Sequence, residues 1–388
     1  MITELADLEA FCDHARAEGS LALDTEFARE RRYNAQLQLV QVATRRESSL
    51  VDPLVLGDLT PLWEVVADPA VEVLLHDAAQ DLEIFYRMSG LKPRNIVDTQ
   101  VAAAMIGLGE QPGYASVAQQ LLGVQLQKQE RVTDWSRRPL TQRQADYALD
   151  DVRYLHPMRD KLVDELRRLG RYGWFELELV DVEDMRRFEP DPAMVWTRVS
   201  GAGGLEGVGL AVLRELAAWR EAEAARADIP RKHVLADDIM IDICRRMPTS
   251  LDDLSELRRL TRGTLQRHAD ALLECVERGR RCPRGSWPRR PRKVRLTEDY
   301  GPLLDLLMVY VRHRARELSI AQNYLATADD LRTFVGHALE EDPVEAPKVL
   351  KGWRRRFIGE EMLELVSGRL SLGFVRETNS LSLHEDAP

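Results

Sequence analysis

Hydrophobic and polar residues alternate over residues 21–27 (LALDTEF), which is the spacing of a β-strand. Residues 36–42 (QLQLVQV) alternate in the same way, and three shorter apolar segments, 49–52, 71–75 and 95–99, also favour strands. The segments at 21–27, 36–42 and 49–52 are joined by short connections, which predicts an antiparallel meander. The mostly apolar segment 71–75 predicts a strand that is buried on both faces.

Helical spacing of apolar residues marks the rest of the first half of the chain. Residues 1–15 predict a helix with Thr3 as its N-cap, and Thr141 is the predicted N-cap of one long helix that continues to Leu169. Further helices are predicted at 59–67, 101–106 and 114–122. Another helix is predicted after the strand at 71–75, which ends just before His76. Strands alternating with helices indicate an α/β domain.

The second half of the chain has helical patterns only. Pro and Gly residues between 181 and 209 mark a loose connection, and residues 278–295 form a second linker with nine Lys or Arg and no acid. Each linker precedes a block of about eighty residues that opens with a long amphipathic helix, which suggests a degenerate repeat. We predict domains at 1–190, 207–285 and 296–375, and a frayed end at 376–388.

Composition narrows the class of protein. A 388-residue chain with 44% hydrophobic and 30% charged residues is typical of a soluble globular protein with two or three domains. It has no apolar run of about 18 residues and no secretory signal at its start, so we expect no membrane span. Its four cysteines lack metal-site spacing, which favours reduced thiols and a cytoplasmic location.

The net charge of −10 is unevenly distributed. Residues 1–190 carry −11, residues 191–295 carry +6, and residues 296–388 carry −5. An acidic first part followed by a basic middle is typical of a metal-dependent nucleic-acid enzyme with an attached binding module.

The candidate chemistry lies in a set of acids. Asp24 and Glu26 are two apart on a strand, so they share a face, and Asp81 follows another strand at the start of a helix. Tyr147 and Asp151 are four apart, so they share a helix face. Carboxylates that converge can hold two Mg²⁺ or Mn²⁺ ions for phosphoryl transfer, with a tyrosine to orient the attacking water. The alternative for Asp24 and Glu26 is the solvated face of an edge strand.

A polar, basic segment at 128–139 is read as a loop that could contact RNA phosphates and stack a base. The residues proposed for RNA binding are Lys128, Arg131, Trp135, Arg137 and Arg138. The alternative is an ordinary solvated loop. The linker at 278–295 is similarly either an RNA-binding segment or a disordered tether.

These motifs resemble a known family. Asp24-Thr25-Glu26, residues 76–81 (HDAAQD) and Tyr147 with Asp151 are similar to the three exonuclease motifs of the DEDD superfamily, in its tyrosine-bearing branch. The surrounding sequence, including residues 97–100 (VDTQ) and 133–135 (TDW), resembles bacterial ribonuclease D. The two C-terminal helical blocks resemble the HRDC domains that this family carries in tandem.

The resemblance implies a ribonuclease-H-like α/β exonuclease domain with a mixed five-stranded sheet and helices, followed by two all-α HRDC-type domains. It also implies hydrolysis of RNA, such as tRNA precursors, from the 3′ end to nucleoside 5′-monophosphates by a monomer. If the residue roles of the family motifs apply here, the four carboxylates hold two divalent metal ions, Mg or Mn, and Tyr147 positions the water. The carboxylates are Asp24, Glu26, Asp81 and Asp151.

Two other functions compete with this interpretation. The same motifs serve 3′→5′ DNA exonucleases, and the sequence does not show contacts to the RNA 2′-hydroxyl. A non-catalytic RNA-binding protein with a decayed nuclease domain is the second alternative. The intact set of four acids and a tyrosine argues against decay.

Overall fold

The computed structural model describes residues 1–29, 31–126, 133–290, 296, 298–339 and 346–385. In these ranges the strands are β1 (Ser20–Ala28), β2 (Gln36–Ala43), β3 (Ser48–Val51), β4 (Glu72–Leu75), β5 (Ile96–Asp98), β6 (Leu370–Val375) and β7 (Ser380–Glu385). The first-half helices are α1 (Leu5–Glu18), α2 (Pro53–Leu56), α3 (Thr60–Val66), α4 (Ala79–Ser89), α5 (Thr99–Met105), α6 (Tyr114–Leu122), α7 (Gln142–Arg153), α8 (Leu155–Arg168) and α9 (Tyr172–Val182).

The later helices form two groups. The first helical domain contains α10 (Val208–Ala227), α11 (Arg231–Val234), α12 (Asp237–Arg246), α13 (Leu251–Ser255) and α14 (Arg262–Arg281). The second helical block contains α15 (Gly301–Leu318), α16 (Gln322–Leu325), α17 (Ala328–Leu339), α18 (Gly352–Arg354), a π-helical turn (Arg355–Gly359) and α19 (Glu360–Val366). In the described ranges, none of the helices is long and apolar enough to cross a membrane.

The sheet of the first half is mixed and has the strand order β3-β2-β1-β4-β5 within the described ranges. Strands β1, β2 and β3 are antiparallel neighbours, which confirms the predicted meander, whereas β4 pairs in parallel with both β1 and β5. Asp24 lies opposite Gln41, and the register shifts after Glu26. The mixed five-stranded sheet is therefore confirmed, with β1 at its centre.

Side chains from the two faces of β1 enter different cores. Leu21 and Leu23 pack in one apolar cluster with residues of α1, α3 and α4. Ala22, on the other face, packs in a cluster with residues of α5 and α8. Asp24 and Glu26 continue the row of Ala22, so the sheet directs both carboxylates toward the side that α7 and α8 cover.

The first helical domain and the second helical block are stabilised differently. The first domain has an apolar core of its own, built from residues 195–276. The second block shares one continuous apolar cluster with α5, α8 and α9 of the first half of the chain. Buried Arg171 crosses this junction and donates hydrogen bonds to the carbonyl oxygens of Met105 at 2.9 Å, Ser319 at 3.1 Å and Leu318. The second block is therefore integrated into the fold of the first half.

The two helical groups begin in the same way. A long helix (α10 or α15) ends in a residue with left-handed backbone, Asp228 or Ser319, and a four-residue helix follows (α11 or α16). The residue after each short helix, Leu235 or Ala326, is extended with φ near −158°, and the third helix (α12 or α17) starts two residues later. After these three helices the groups diverge.

Two predicted helix boundaries were wrong. The first helix begins at Leu5 with Glu4 rather than Thr3 at its N-cap, because Ile2 is held in extended backbone by a bridge to Val51. The helix capped by Thr141 ends at Arg153, and α8 begins after Tyr154. Pro157 lacks an N–H to bond the carbonyl of residue 153, which disfavours one continuous helix at this point.

The predicted frayed C-terminus was also wrong over residues 380–385. Strands β6 and β7 pair as an antiparallel hairpin, and Leu372 and Leu383 pack against the shared apolar cluster. The basic linker is described up to residue 290, where Arg290 donates hydrogen bonds to the carbonyl oxygens of Ala202 and Leu205. That part of the linker lies on the first helical domain, and residues 291–295 are outside the described residues.

Candidate active site

The central strand brings two carboxylates to one side of the sheet. Asp24 and Glu26 are both half-buried and point to the same face of β1. Thr25, between them, faces the opposite side and donates a hydrogen bond from its hydroxyl to Asp81. The strand therefore contributes two acids directly and positions a third through its threonine.

Asp81 lies in the first turn of α4 and is buried, with 7% of its surface exposed. The turn before α4 contains Asp77 in left-handed backbone, with φ of 62°. Asp98, at the end of β5, accepts hydrogen bonds from the backbone N–H of Asp77 at 3.2 Å and of Ala78 at 3.0 Å, and it also caps α5. Asp98 is therefore a structural residue that holds the turn leading to Asp81.

Helix α7 supplies the other two predicted residues. Its start is fixed by a capping box between Thr141 and Gln144, as the sequence predicted for Thr141. Tyr147 and Asp151 lie one turn apart on the helix, which packs across β1, β2 and β3. The ring of Tyr147 stacks on Trp135, with ring centroids 6.1 Å apart.

The four acids act on one another electrostatically. Burial first, and then the charges of Asp81, Asp151 and Glu26, hold the pKa of Asp24 well above its usual value. Burial, Asp151 and Asp81 raise the pKa of Glu26 to about 8, and burial raises the pKa of Asp81 to about 7. Asp81 and Asp151 therefore lie close enough to Asp24 and Glu26 to oppose the ionisation of both.

This donor set fits a divalent cation. Carboxylate oxygens are preferred ligands of Mg²⁺ and Mn²⁺, and a cation would remove the repulsion between the acids. Among the residues that the structure describes, no three acidic, histidine or cysteine side chains form a ready metal-binding cluster. The carboxylates are thus close enough to interact without a preformed coordination sphere.

Comparison with known proteins agrees with this geometry. Residues 1–167 match a family described as 3′-5′ exonuclease, and residues 209–276 match the HRDC domain. Ribonuclease D of Gluconacetobacter diazotrophicus is 37% identical over 375 residues, covering 96% of this chain and 94% of the relative. Ribonuclease D of Zymomonas mobilis is 33% identical and covers 99% and 98% of the two chains. This chain belongs to the ribonuclease D family.

A solved structure supports the same assignment. The crystal structure of Escherichia coli RNase D, described as an exoribonuclease involved in structured RNA processing, matches with a TM-score of 0.82. The sequences are 31% identical, and the match covers 95% of this chain and 98% of that one. The resemblance inferred from the motifs is confirmed, and as a ribonuclease D this protein is a 3′→5′ exoribonuclease.

The basic loop of this ribonuclease D differs from expectation. Trp135 is buried, with 4% of its surface exposed, and its stacking partner is Tyr147. Arg138 donates hydrogen bonds to the carboxylate of Asp52 and, at 2.9 Å, to the carbonyl oxygen of Gln38. The structure therefore gives Trp135 and Arg138 structural contacts in place of the predicted RNA contacts.

The other loop predictions have different outcomes. Arg137 is exposed and pairs with Asp134 at 3.2 Å, so its guanidinium remains at the surface. Lys128 and Arg131 lie outside the described residues. His76, in the second motif, places its ring nitrogens 2.9 Å from Thr99 Oγ1 and from the carbonyl oxygen of Pro112, so both nitrogens have structural contacts.

Two residues next to the site were missed by sequence reasoning. Gln41 is fully buried opposite Asp24, and its amide nitrogen and oxygen have no hydrogen-bond partner among the described residues. A polar residue on the inward face of an apolar strand was the available signal. Tyr114 donates a hydrogen bond to the carbonyl of Asp150 at 2.6 Å and so holds the end of α7. Nothing in its local sequence indicated this contact.

Proposed function

We propose that this ribonuclease D trims single-stranded RNA 3′ ends, including those of tRNA precursors, by a two-metal-ion mechanism. Asp24, Glu26, Asp81 and Asp151 would hold two divalent ions, Mg²⁺ or Mn²⁺. The support for the proposal is that Asp24 and Glu26 share one face of β1, that Asp81 accepts a hydrogen bond from Thr25 between them, and that Asp151 is close enough to raise the pKa of both, so several acids share one pocket. Such a pocket is costly for folding unless cations use it.

Tyr147 is proposed to orient the attacking water. Its ring is held by stacking on buried Trp135, and it lies one turn before Asp151 on α7. A hydroxyl fixed in this way can hydrogen-bond the water and direct its oxygen toward the phosphorus. When bound, the ions supply positive charge to the scissile phosphate and lower the pKa of the attacking water.

The reaction is a hydrolysis in which atoms balance. The water oxygen bonds to the phosphorus of the last nucleotide, and the bond from that phosphorus to the preceding 3′ oxygen breaks. The 3′ oxygen leaves with a proton, so the product is a nucleoside 5′-monophosphate and an RNA shorter by one nucleotide. The site residues must therefore stabilise negative charge on the phosphate and on the leaving oxygen.

The test uses one unstructured RNA labelled at either end, with Mg²⁺, Mn²⁺ or a chelator. We expect immediate release of labelled mononucleotide from the 3′-labelled RNA and a progressive ladder from the 5′-labelled RNA. Asp24→Asn and Asp151→Asn should abolish release while the far-ultraviolet circular dichroism stays the same. Asp146→Asn, an exposed acid on the same helix as Asp151, is the matched control and should retain activity. Full activity with chelator, or in either site variant, would contradict the proposal.

Tyr147→Phe separates the proposed role of the tyrosine from metal binding. The variant keeps the ring and its stacking on Trp135 but lacks the hydroxyl. We expect a drop in kcat of about 10²- to 10⁴-fold, the usual range for a positioned proton-transfer or water-orienting group. Metal titration by calorimetry should give an unchanged affinity. A large loss of metal affinity would instead assign the hydroxyl to the metal site.

Substrate class and assembly are parts of the same proposal. Paired assays on RNA and DNA of one sequence test the preference for ribose, since the 2′-hydroxyl distinguishes the two. A tRNA precursor with an extended 3′ end should be shortened to the edge of its stem. We also propose that the protein acts as a cytoplasmic monomer, which light scattering and cell fractionation can test.

The second helical block is proposed to be a second HRDC-type domain. The support is the repeated order of long, four-residue and third helix in α10–α12 and α15–α17, with matching backbone at each end. The HRDC family match at residues 209–276 lies in the first of these two groups, and the second group diverges from it after α17. A crystal structure in which these two sets of three helices fail to superpose would refute the proposal.

A further inference from the structure

A basic cleft of about 540 Å³ lies between the exonuclease part and the first helical domain. Its cationic lining residues are Arg29, Arg32, Arg198, Arg220, Arg231 and Lys232, and the acids in its lining are Glu221 and Asp237. The cleft is lined by both parts of the chain, since two of the arginines follow β1 and the others lie at 198 or beyond. We call this feature the interdomain cleft.

Four of the cations form ion pairs, and one of these pairs joins the two parts. Arg32 pairs with Asp228 at 3.1 Å, and Arg231 pairs with Glu221 at 2.5 Å. Arg29 and Arg220 likewise pair with carboxylates, Glu83 at 2.8 Å and Asp237 at 2.6 Å. The Arg32–Asp228 pair links the two sides of the cleft, and the other three pairs each lie within one side.

Two cations of the lining remain available. Arg198 and Lys232 are exposed, and within the described part of the chain neither forms an ion pair. An exposed lysine alone would need no explanation, but these two line a concave surface whose four other cations are each paired with a carboxylate, so Arg198 and Lys232 leave it with excess positive charge. A concave surface with excess positive charge attracts anions and favours phosphate groups.

The position of the cleft relates it to the active site. Arg29 follows β1 directly, three residues after Glu26, so their Cα atoms are about 10 Å apart at the usual rise of a strand. Glu26 and Arg29 lie where the chain of β1 continues beyond the carboxyl ends of β4 and β5. With a stacked strand advancing about 3.4 Å per phosphate, the cleft begins about three nucleotides from the scissile bond.

The chemistry of the lining favours the RNA backbone over the bases. Tyr33, the aromatic residue in the lining, has guanidinium groups on its ring, with Arg231 at 5.1 Å and Arg87 at 5.6 Å from the centroid. Its hydroxyl donates to Glu221 at 2.5 Å. The ring is therefore occupied and not open to base stacking, whereas Arg198 and Lys232 can reach phosphates.

We propose that the interdomain cleft binds the phosphodiester backbone of the RNA substrate upstream of its 3′ end, through Arg198 and Lys232. This inference rests on the proposed function, because it assumes that the 3′ end enters the site of Asp24 and Glu26. The contact is independent of sequence and involves nucleotides more than three positions from the 3′ end. It therefore contributes to the binding of long substrates and not of a dinucleotide.

The test is the double variant Arg198→Gln/Lys232→Gln, compared with the wild-type chain. Binding of a fluorescent 15-nucleotide RNA is measured by anisotropy in chelator over 50 to 200 mM salt. With about 0.7 counterions released per phosphate contact on a single strand, the salt slope should fall by about 1.4. Kd at 50 mM salt should rise about 10- to 100-fold. Lys232→Gln alone should lower the slope by about half as much.

The matched control is Lys92→Gln/Arg94→Gln, with the same charge change. These exposed residues precede β5, at the opposite ends of the parallel strands from the site. We expect the control to bind the long RNA as the wild type does. Hydrolysis of a dinucleotide should be equal in the wild type, both cleft variants and the control, because a dinucleotide does not reach the cleft.

The possible results separate the two proposals. An unchanged Kd and salt slope in the cleft variant, with normal hydrolysis by the wild type, would overturn the cleft assignment and leave the enzyme intact. An equal loss in the control, or a loss of dinucleotide hydrolysis in the cleft variant, would overturn it as well. Absence of 3′-end hydrolysis in the wild type, or hydrolysis in chelator, would instead overturn the proposed function.

Discussion

Replacing Glu26 with glutamine should stabilise the protein without metal at neutral and alkaline pH. Burial and the charges of Asp151 and Asp81 raise the pKa of Glu26 from 4.5 to about 8 in the folded protein. A carboxyl with a raised folded pKa favours folding below its unfolded pKa, and that contribution is lost as the pH rises toward 8. Glutamine carries no charge, so the variant does not undergo this loss.

The size of the effect follows from the shift. A change from 4.5 to about 8 corresponds to an upper limit of ~5 kcal/mol at 1.36 kcal/mol per pH unit. Glu26 is only half-buried and its side chain can turn toward water, so we expect ~1–3 kcal/mol. Near pH 4.5 and below, the glutamate is largely protonated in both states, and the difference from glutamine should vanish.

The assay is urea denaturation in chelator at pH 5, 7 and 9, followed by circular dichroism. The gain in unfolding free energy of Glu26→Gln over the wild type should grow from near zero at pH 5 to its full value at pH 9. Glu9→Gln, an exposed glutamate on α1, is the control and should follow the wild type. Mg²⁺ or Mn²⁺ should stabilise the wild type more than Glu26→Gln, because a ligand stabilises the state that binds it. A difference that is constant with pH would refute the reasoning.

Three further substitutions test contacts that shape the site and the junctions. Tyr114→Phe removes the hydrogen bond to the carbonyl of Asp150, so kcat should fall while KM stays within about twofold; equal rates would exclude a positioning role. Arg171→Met leaves buried carbonyls unpaired where the second helical block joins, and urea denaturation should show a loss of ~2–4 kcal/mol. Gly279→Ala should cost ~1–3 kcal/mol, since its Cβ would lie 2.5 Å from Val212 Cα. A melting temperature equal to the wild type would show that α10 and α14 can move apart.

Several elements could be predicted because they depend on neighbours within a few residues. Alternation along residues 21–27 placed Asp24 and Glu26 on one face, and the structure has them there. The capping box at Thr141 was visible as a threonine followed three residues later by Gln144. These local patterns do not identify a family. The resemblance of the exonuclease motifs to a known family did so, and the family was correct.

Errors arose where contacts join distant parts of the chain. The loop sequence around Trp135 and Arg138 is polar and basic, which is typical of a solvated surface. Its tryptophan is covered by α7, and its arginine meets Asp52, 86 residues away in the sequence. The hairpin at the C-terminus is similar, because its leucines are stabilised by a cluster assembled from α5, α8 and the second helical block.

The sequence by itself determined which residues share a strand face or a helix face, and hence which acids were candidates. Only the tertiary structure decided which polar groups are buried and that the first helical domain forms a basic cleft with the exonuclease part. It also decided that Gln41 lies beside Asp24 with no hydrogen-bond partner in the described part of the chain. The physical reason is that periodicity depends on the geometry of a single segment. Burial and charge balance depend on the segment that comes to cover it, which can be far away along the chain.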